Sequence, residues 1–495
     1  MATTGVRYEP VIGLEVHVQL LTKSKMFCAC PADYSRAEPN TYVCPICMGM
    51  PGVLPVINEQ AVEYTITTGL ALHCRIPEYS KFDRKNYPYP DLMKGYQISQ
   101  YDMPLCLEGW LDIGEDGTER RAGITRVHLE EDTATSKHLN DQTGEGYSLI
   151  DINRAGSPLM EVVGEPDLRT ADEARRYLMK LQRILRYIGV SHANPEEGNM
   201  RCDANVSLRP VGDERLGSKV EVKNMNSFRA VFRAIEYEIQ RQSEQLDRGE
   251  RIPQETRGWV EGEGRTVSQR SKEQAHDYRY FPEPDLPPLI ISSHKVGEIR
   301  ARLPELPDAR RRRFEREYGL PAYDADLLTE TRARADFFEA AVDTGNPEAE
   351  KREPRAKSIS NWMLGDLAKL TNESRQDFAE LKFKPDHLAT LVDLIESGTI
   401  TGKAGKEVFA SMFETGKPPT AIVEESGLTQ VNDASIIEEA SERVIDANPK
   451  AVADYRGGKH EVVKFLVGQV MRETRGRANP ATVTGILERL LAAGS

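Results

Sequence analysis

The chain has 495 residues, 39% of them hydrophobic, with 65 Lys and Arg against 78 Asp and Glu and a formal charge of −13. That length suits roughly three domains of ordinary size, and a net acidic chain reaches a nucleic acid only through locally concentrated cations. The stretch Met1 to Tyr8 carries no signal-peptide pattern and no run of about 18 apolar residues offers a membrane span, so a cytoplasmic protein with no membrane partner is expected.

The first informative element is Val11 to Leu20. Ile12, Leu14, Val16, Val18 and Leu20 alternate with Gly13, Glu15, His17 and Gln19, the period-two pattern of a half-buried β-strand. Glu, His and Gln on one face form a set that holds a cation and orients water; a solvated face with a chance histidine is the alternative. Seven cysteines are too few for a disulfide scaffold in a chain this long. Four cluster as Cys28-Ala-Cys30, then thirteen residues, then Cys44-Pro-Ile-Cys47, the spacing of a closed, tetrahedral, structural Zn²⁺ site. Four reduced cysteines without metal are the alternative.

Glu59 to Leu72 has helical spacing. Ser80-Lys81-Phe82-Asp83-Arg84-Lys85-Asn86-Tyr87 and Tyr96 to Tyr101 set cations beside aromatic rings, suited to a nucleotide or nucleic-acid strand through charge on phosphate and stacking on base, or else a solvated loop. From Leu105 to Leu168 short runs alternate with Gly- and Asp-rich turns, as in a mostly antiparallel sheet. Two runs there carry acids: Ile124 to Asp132, with His128, Glu130 and Glu131, and Ser157 to Val163, an apolar strand interrupted by Glu161. A carboxylate in such a run is costly to bury unless it is paired or binds metal. Were these strands neighbours, Glu15, His17, Glu131 and Glu161 would converge as a catalytic metal pocket. Carboxylate-rich ligands favour Mg²⁺, and the histidine leaves Mn²⁺ or Zn²⁺ open.

Helix is expected from Thr170 to about Ile188. Two alternating strands follow, Gly198 to Arg209 and Lys219 to Phe228; Arg201, Asp203 and Asn205 share one face, as do Lys219, Glu221 and Lys223. Cations, an acid and amides are the inventory of a phosphate and ribose site; a salt-bridged sheet face is the competing account. Arg229 to Gln242 is again helical. The Pro-rich run Pro282 to Pro288 marks a domain limit. An α+β architecture is therefore expected: a first domain over 1–288 with antiparallel sheet and helices, an all-helical domain over 289–405, and a small helical tail over 406–495. Between Lys450 and Pro480, seven Lys and Arg (Lys450, Arg456, Lys459, Lys464, Arg472, Arg475 and Arg477) face three acids. That local excess suggests an RNA-backbone contact, with an ordinary solvated helix as the alternative. No phosphate-binding G-x-x-x-x-G-K-[ST] loop, no G-x-G-x-x-G turn and no G-x-S-x-G elbow is present. Any ATP site must use a less common fold, and the chain lacks a hydrolytic nucleophile of its own.

Eight stretches together resemble the B-subunit family of the aspartyl/glutamyl-tRNA amidotransferases: Val11 to Gln19, Lys81 to Tyr87, Tyr96 to Gln100, His128 to Asp132, Asn153 to Leu159, Arg201 to Asn205, Lys223 to Phe228 and Asp277 to Pro284. The resemblance implies a cradle domain, a helical domain and a tail that contacts tRNA, with Lys459, Lys464, Arg472, Arg475 and Arg477 as the tail's basic set. It implies ATP-dependent phosphorylation of the side-chain carboxylate of Asp or Glu on a mischarged tRNA, then displacement of phosphate by ammonia from a glutaminase A subunit of amidase type. A small C subunit would complete a heterotrimer. It implies Mg²⁺ at Glu15, His17, Glu131 and Glu161. Lys81, Arg84, Lys85, Arg201 and Lys223 are the candidates for phosphate or tRNA-end contacts. A non-catalytic, zinc-containing tRNA-binding scaffold is the rival reading.

Overall fold

The computed structural model describes residues 7–115, 118–140, 144, 146–271, 277–428, 434–474 and 478–493. It divides into two compact units, Met1–Leu306 and Pro307–Ser495.

The N-terminal unit is built on one eight-stranded sheet. Its strands run, edge to edge, Arg265–Ser271, Glu255–Val260, Val220–Met225, Met200–Pro210, Tyr8–Gln19, Pro158–Gly164, Arg121–Glu131 and Cys106–Asp112. Neighbours are antiparallel except Val220–Met225 and Glu255–Val260, which are parallel. The helix Phe228–Asp247 lies between those two in the chain and supplies the crossover that a parallel pair requires.

The alternation of the first strand decides which sheet face is covered. Ile12, Leu14, Val16 and Val18 are at most 1% exposed. They share one core with Tyr177, Leu178, Leu181 and Leu185 of the helix Ala171–Tyr187 and with Val231 and Ile235 of the helix Phe228–Asp247. The first of these helices starts where the Thr170 hydroxyl accepts from the Glu173 amide at 3.1 Å and has two acids in its first turn, both favourable at a helix N-terminus. It stops at Gly189, whose φ of +72° only glycine adopts without strain. Helices thus cover the apolar face, and the face bearing His17 is left to polar side chains.

The helix Ser293–Arg302 belongs to this unit, although the expected domain limit falls at 288/289. Ile299 is buried in the same core, and Lys295 and Arg302 both pair with Glu63 of the helix Glu59–Ala71. The second unit is helical. Its helix Gly402–Thr415 runs across the expected limit at 405/406 and is held to the preceding helices by Trp362 against Phe409, 5.2 Å between ring centroids. A separate core runs from Ile437 to Leu491. A sheet-rich N-terminal region followed by helices is the α+β arrangement expected. No helix among the described residues is long and apolar enough to cross a membrane.

Leu181 is fully buried between helix and sheet. Leu181→Ala should cost about 2–5 kcal/mol, measured by denaturant unfolding followed by tryptophan fluorescence. A cost below about 1 kcal/mol would show that the helix layer is not the cover of this sheet.

Candidate active site

Three neighbouring strands carry the site. His17 is in register with Glu161, and Glu161 with His128, so the three stand in a row on one face of the sheet. Glu130, two residues beyond His128, shares that face. Ligand atoms of His17, Glu130 and Glu161 all lie within 4.8 Å of one another. Nε2 of His17 is 3.8 Å from Oε1 of Glu130 and 3.6 Å from Oε2 of Glu161. Nε2 of His128 is 3.1 Å from Oε2 of Glu161. Glu130 is buried and accepts from the Ser99 hydroxyl at 3.2 Å. Burial works to raise the pKa of Glu161, but the adjoining His128 ring, with His17 and Lys85 behind it, outweighs this and holds the carboxyl well below the usual carboxylate range. No Lys or Arg forms an ion pair with Glu130 or Glu161 among the described residues. Two carboxylates and an imidazole converging without a cation of their own fit a divalent ion.

Of the quartet expected from sequence, the structure brings His17 and Glu161 together and places the other two elsewhere. Glu131 lies on the other face, with Val127 and Leu129, which are both fully buried in the core. Its carboxylate meets the Lys94 ammonium and accepts from the Ile98 amide at 3.0 Å. Glu15 shares the face of His17 but stands outside the cluster, accepting from Asn205 Nδ2 at 2.9 Å. Glu130 joins His17 and Glu161 in the cluster, and His128 adjoins Glu161 from outside it. The missed signal was strand parity: Val127 and Leu129 mark the core side, so the outward acid of the adjacent pair is Glu130.

The five cations proposed for phosphate divide sharply. Lys81 pairs with Asp83 and Asp102. Arg84 forms a two-pronged bond to Glu283 at 2.6 and 2.7 Å. Arg201, opposite His17 on the neighbouring strand, donates to both oxygens of Asp132 at 3.1 Å. Lys223 is held by Asp203 at 2.5 Å and Glu221 at 3.1 Å. Lys85 alone of the five forms no ion pair with a carboxylate among the described residues; it lies over the Tyr278 ring at 5.0 Å and acts on Glu161 through its charge. Tyr278 packs edge-on against Tyr280, which stacks on Tyr101 with centroids 4.2 Å apart, so aromatic faces adjoin the cluster.

The four cysteines come together as the spacing predicts, every sulfur within 4.8 Å of the others. Sγ of Cys44 and Cys47 are 3.9 Å apart, close to the ~3.8 Å edge of a tetrahedron with metal–sulfur bonds of about 2.3 Å. A hydrogen bond from Cys28 lowers the Cys47 pKa to about 5, helped against burial by the Cys44 amide and Lys25. Burial, with a hydrogen bond to Cys44, pushes Cys30 up to about 11. The set fits a thiophilic metal. In the tail, Lys464 and Arg472 are exposed on the helix Val462–Glu473, and Lys459 pairs with Asp454 at 3.0 Å; Arg475 and Arg477 lie outside the described residues.

This geometry falls within residues 10–297, which match the model of the GatB/GatE catalytic domain; residues 336–491 match that of the GatB domain. The chain is 56% identical over 490 residues to the B subunit of the aspartyl/glutamyl-tRNA(Asn/Gln) amidotransferase of Dehalococcoides mccartyi strain CBDB1, covering 99% of this chain and all of that one. The chain belongs to the amidotransferase B-subunit family. The proteins of the same name from Thermomicrobium roseum and Carboxydothermus hydrogenoformans are 54% and 52% identical over 98% of this chain and 99% of each of theirs. The enzymes of this family are glutamine-dependent ligases that form carbon–nitrogen bonds. The catalytic-domain match spans both the histidine–carboxylate cluster and the cysteines, and the second match spans Lys459, Lys464 and Arg472.

Because the folded Cys47 thiol ionises below its ordinary 9.0, its ionisation stabilises the fold above that value, and the contribution is lost as pH falls through about 5. Metal-stripped protein should show a thiolate absorbance step near pH 5 that Cys47→Ser removes. Four thiols all titrating at ordinary values would contradict this geometry.

Proposed function

We propose that this chain activates the side-chain carboxylate of aspartate on mischarged tRNA(Asn), of glutamate on mischarged tRNA(Gln), or of both, within a cytoplasmic glutamine-dependent amidotransferase. The observation that carries the reading is the row of His17, Glu161 and His128 with Glu130 beside it, on the sheet face away from the helices, with no Lys or Arg ion pair to either acid among the described residues. Family membership names the tRNA amidotransferases as the setting.

The chemistry needs alignment and charge neutralisation more than a protein nucleophile. The substrate carboxylate is ionised at neutral pH and is itself the nucleophile. One of its oxygens attacks the γ-phosphorus of ATP, the bond to the departing ADP breaks, and an acyl phosphate results. Ammonia then attacks the carbonyl carbon, phosphate leaves with the bonding pair, and loss of a proton from nitrogen gives the amide. His17, Glu130 and Glu161 would hold Mg²⁺, which when bound neutralises phosphate charge and fixes the phosphate oxygens. Lys85, with no carboxylate ion pair among the described residues, offers its ammonium to the same phosphates. Arg201 is oriented by Asp132 on the strand next to His17, and the Tyr101–Tyr280 stack offers a surface for a base.

The ammonia comes from glutamine hydrolysed elsewhere, on an amidase-type A subunit joined to this one with a small C subunit. Burial raises the Cys74 thiol to about 12 and pushes Cys106 and Cys202 well up, so these three stay neutral and unreactive. The four remaining cysteines would hold a structural Zn²⁺. The exposed Lys464 and Arg472 of the tail suit the tRNA backbone.

In the assembled complex, Glu130→Gln and Glu161→Gln should each lower ATP-dependent amide formation on mischarged tRNA by roughly a hundredfold or more while glutaminase activity persists. Equal loss of both activities, or tRNA binding with no ATP turnover in the unaltered complex, would leave this chain a scaffold.

A further inference from the structure

We propose that His128 positions Glu161: its Nε2–H holds the carboxylate in the orientation that meets the divalent ion. The proposal rests on the reading of His17, Glu130 and Glu161 as ligands and adds a residue that neither the motif nor the cluster of ligand atoms assigns.

His128 is 3% exposed and directly opposite Glu161 in the strand register. Its two ring nitrogens have different neighbours. On one side, Nε of Arg126 donates to Nδ1 at 3.4 Å. A guanidinium has only donors and does not give up its proton in a protein, so Nδ1 is the accepting nitrogen of the ring. The ring hydrogen therefore sits on Nε2, which faces Oε2 of Glu161 at 3.1 Å. A nitrogen that carries hydrogen has no lone pair for a metal. This separates the two histidines of the site. His17 offers Nε2 as a ligand atom within the cluster, and His128 stays outside it as a donor.

The donor has a mechanical consequence. Glu161 has no lysine or arginine ion pair among the described residues, so nothing else of that kind fixes its carboxylate. Without the Nε2–H bond, only the 3.6 Å approach of His17 would be left to orient the carboxylate. With the bond, the carboxylate is fixed with Oε2 between the two rings, 3.1 Å from Nε2 of His128 and 3.6 Å from Nε2 of His17. Outer partners of this sort set ligand orientation, and their loss commonly lowers metal affinity 10–100-fold. Arg126 is one step further out, fixing the ring that fixes the carboxylate.

The test is a Mn²⁺ titration of the assembled complex, reading free ion by electron paramagnetic resonance. His128→Leu removes the donor, and His128→Gln restores an N–H at about the Nε2 position. We expect roughly 10–100-fold weaker Mn²⁺ binding in the leucine variant, recovery of most of that loss in the glutamine variant, and unchanged glutaminase activity in both. A purely packing role would not distinguish the variants by affinity in that order. Wild-type affinity in a correctly assembled leucine variant, or equal weakening in both variants, overturns the role of His128. Absence of Mn²⁺ binding to the unaltered complex overturns the ligand reading itself. If the leucine variant does not assemble, the glutamine variant decides: near-wild-type affinity supports the proposal, and a loss beyond about tenfold overturns it.

Discussion

The structure depends on the registration of three strands. His17, Glu161 and His128 stand opposite one another across the middle of the sheet, and no loop is needed to bring them together. A slip of one residue in any of these strands would turn its polar residue into the core and its apolar residues toward solvent. The covered face prevents this: Ile12, Leu14, Val16, Val18, Val127, Leu129, Met160 and Val162 are at most 1% exposed. Hydrophobic burial beneath the sheet thus holds acidic side chains above it at a spacing they would not choose unaided. A divalent ion would relieve the repulsion that this imposes.

Charge is partitioned under the same constraint. Most cations around the site are neutralised within the protein, Arg84 by Glu283, Arg201 by Asp132, Lys223 by Asp203. These pairs shape the walls and fix side-chain directions; Asp132 also accepts from Gln19 at 2.9 Å and lies 3.7 Å from Arg154. What is left for a ligand includes the ammonium of Lys85 and the oxygens of Glu130 and Glu161, with the Arg126 guanidinium beside His128. The cysteine knuckle is tied into this scaffold. Lys25, fully buried, donates to the Tyr42 carbonyl at 2.8 Å and the Ile152 carbonyl at 3.4 Å and lies 3.8 Å from the Cys47 sulfur. Ile152 opens the short turn that precedes the Glu161 strand, so a metal closing the knuckle would also steady the start of that strand.

Much of this was legible in the sequence where periodicity was strong. The first strand, the helices Glu59–Ala71 and Ala171–Tyr187, and the paired strands carrying Arg201 and Lys223 were all readable from spacing, as were the four cysteines as a group. The α+β order followed from them. Less legible was anything that turned on a neighbour in space. Glu130 and Glu131 are adjacent in sequence and chemically identical; only the burial of Val127 and Leu129 tells which acid faces the site. Lys81, Arg84 and Lys85 look equivalent as a run of cations, and spacing does not reveal the acids that occupy two of them: Glu283 and Asp285 for Arg84, Asp83 and Asp102 for Lys81. The expected limit near 288 precedes the helix Ser293–Arg302, whose anchor to the sheet core, Ile299, is one apolar residue in a charged helix.

The central claim is that this row of strands is built around a divalent ion. Crystals of the protein soaked in Mn²⁺ and measured for anomalous scattering test it most directly. The account predicts one anomalous peak bound by Nε2 of His17 and by oxygens of Glu130 and Glu161, with Glu131 still paired to Lys94. An ion held instead by Glu131, or a cluster that stays empty while Mn²⁺ occupies another site, would contradict it.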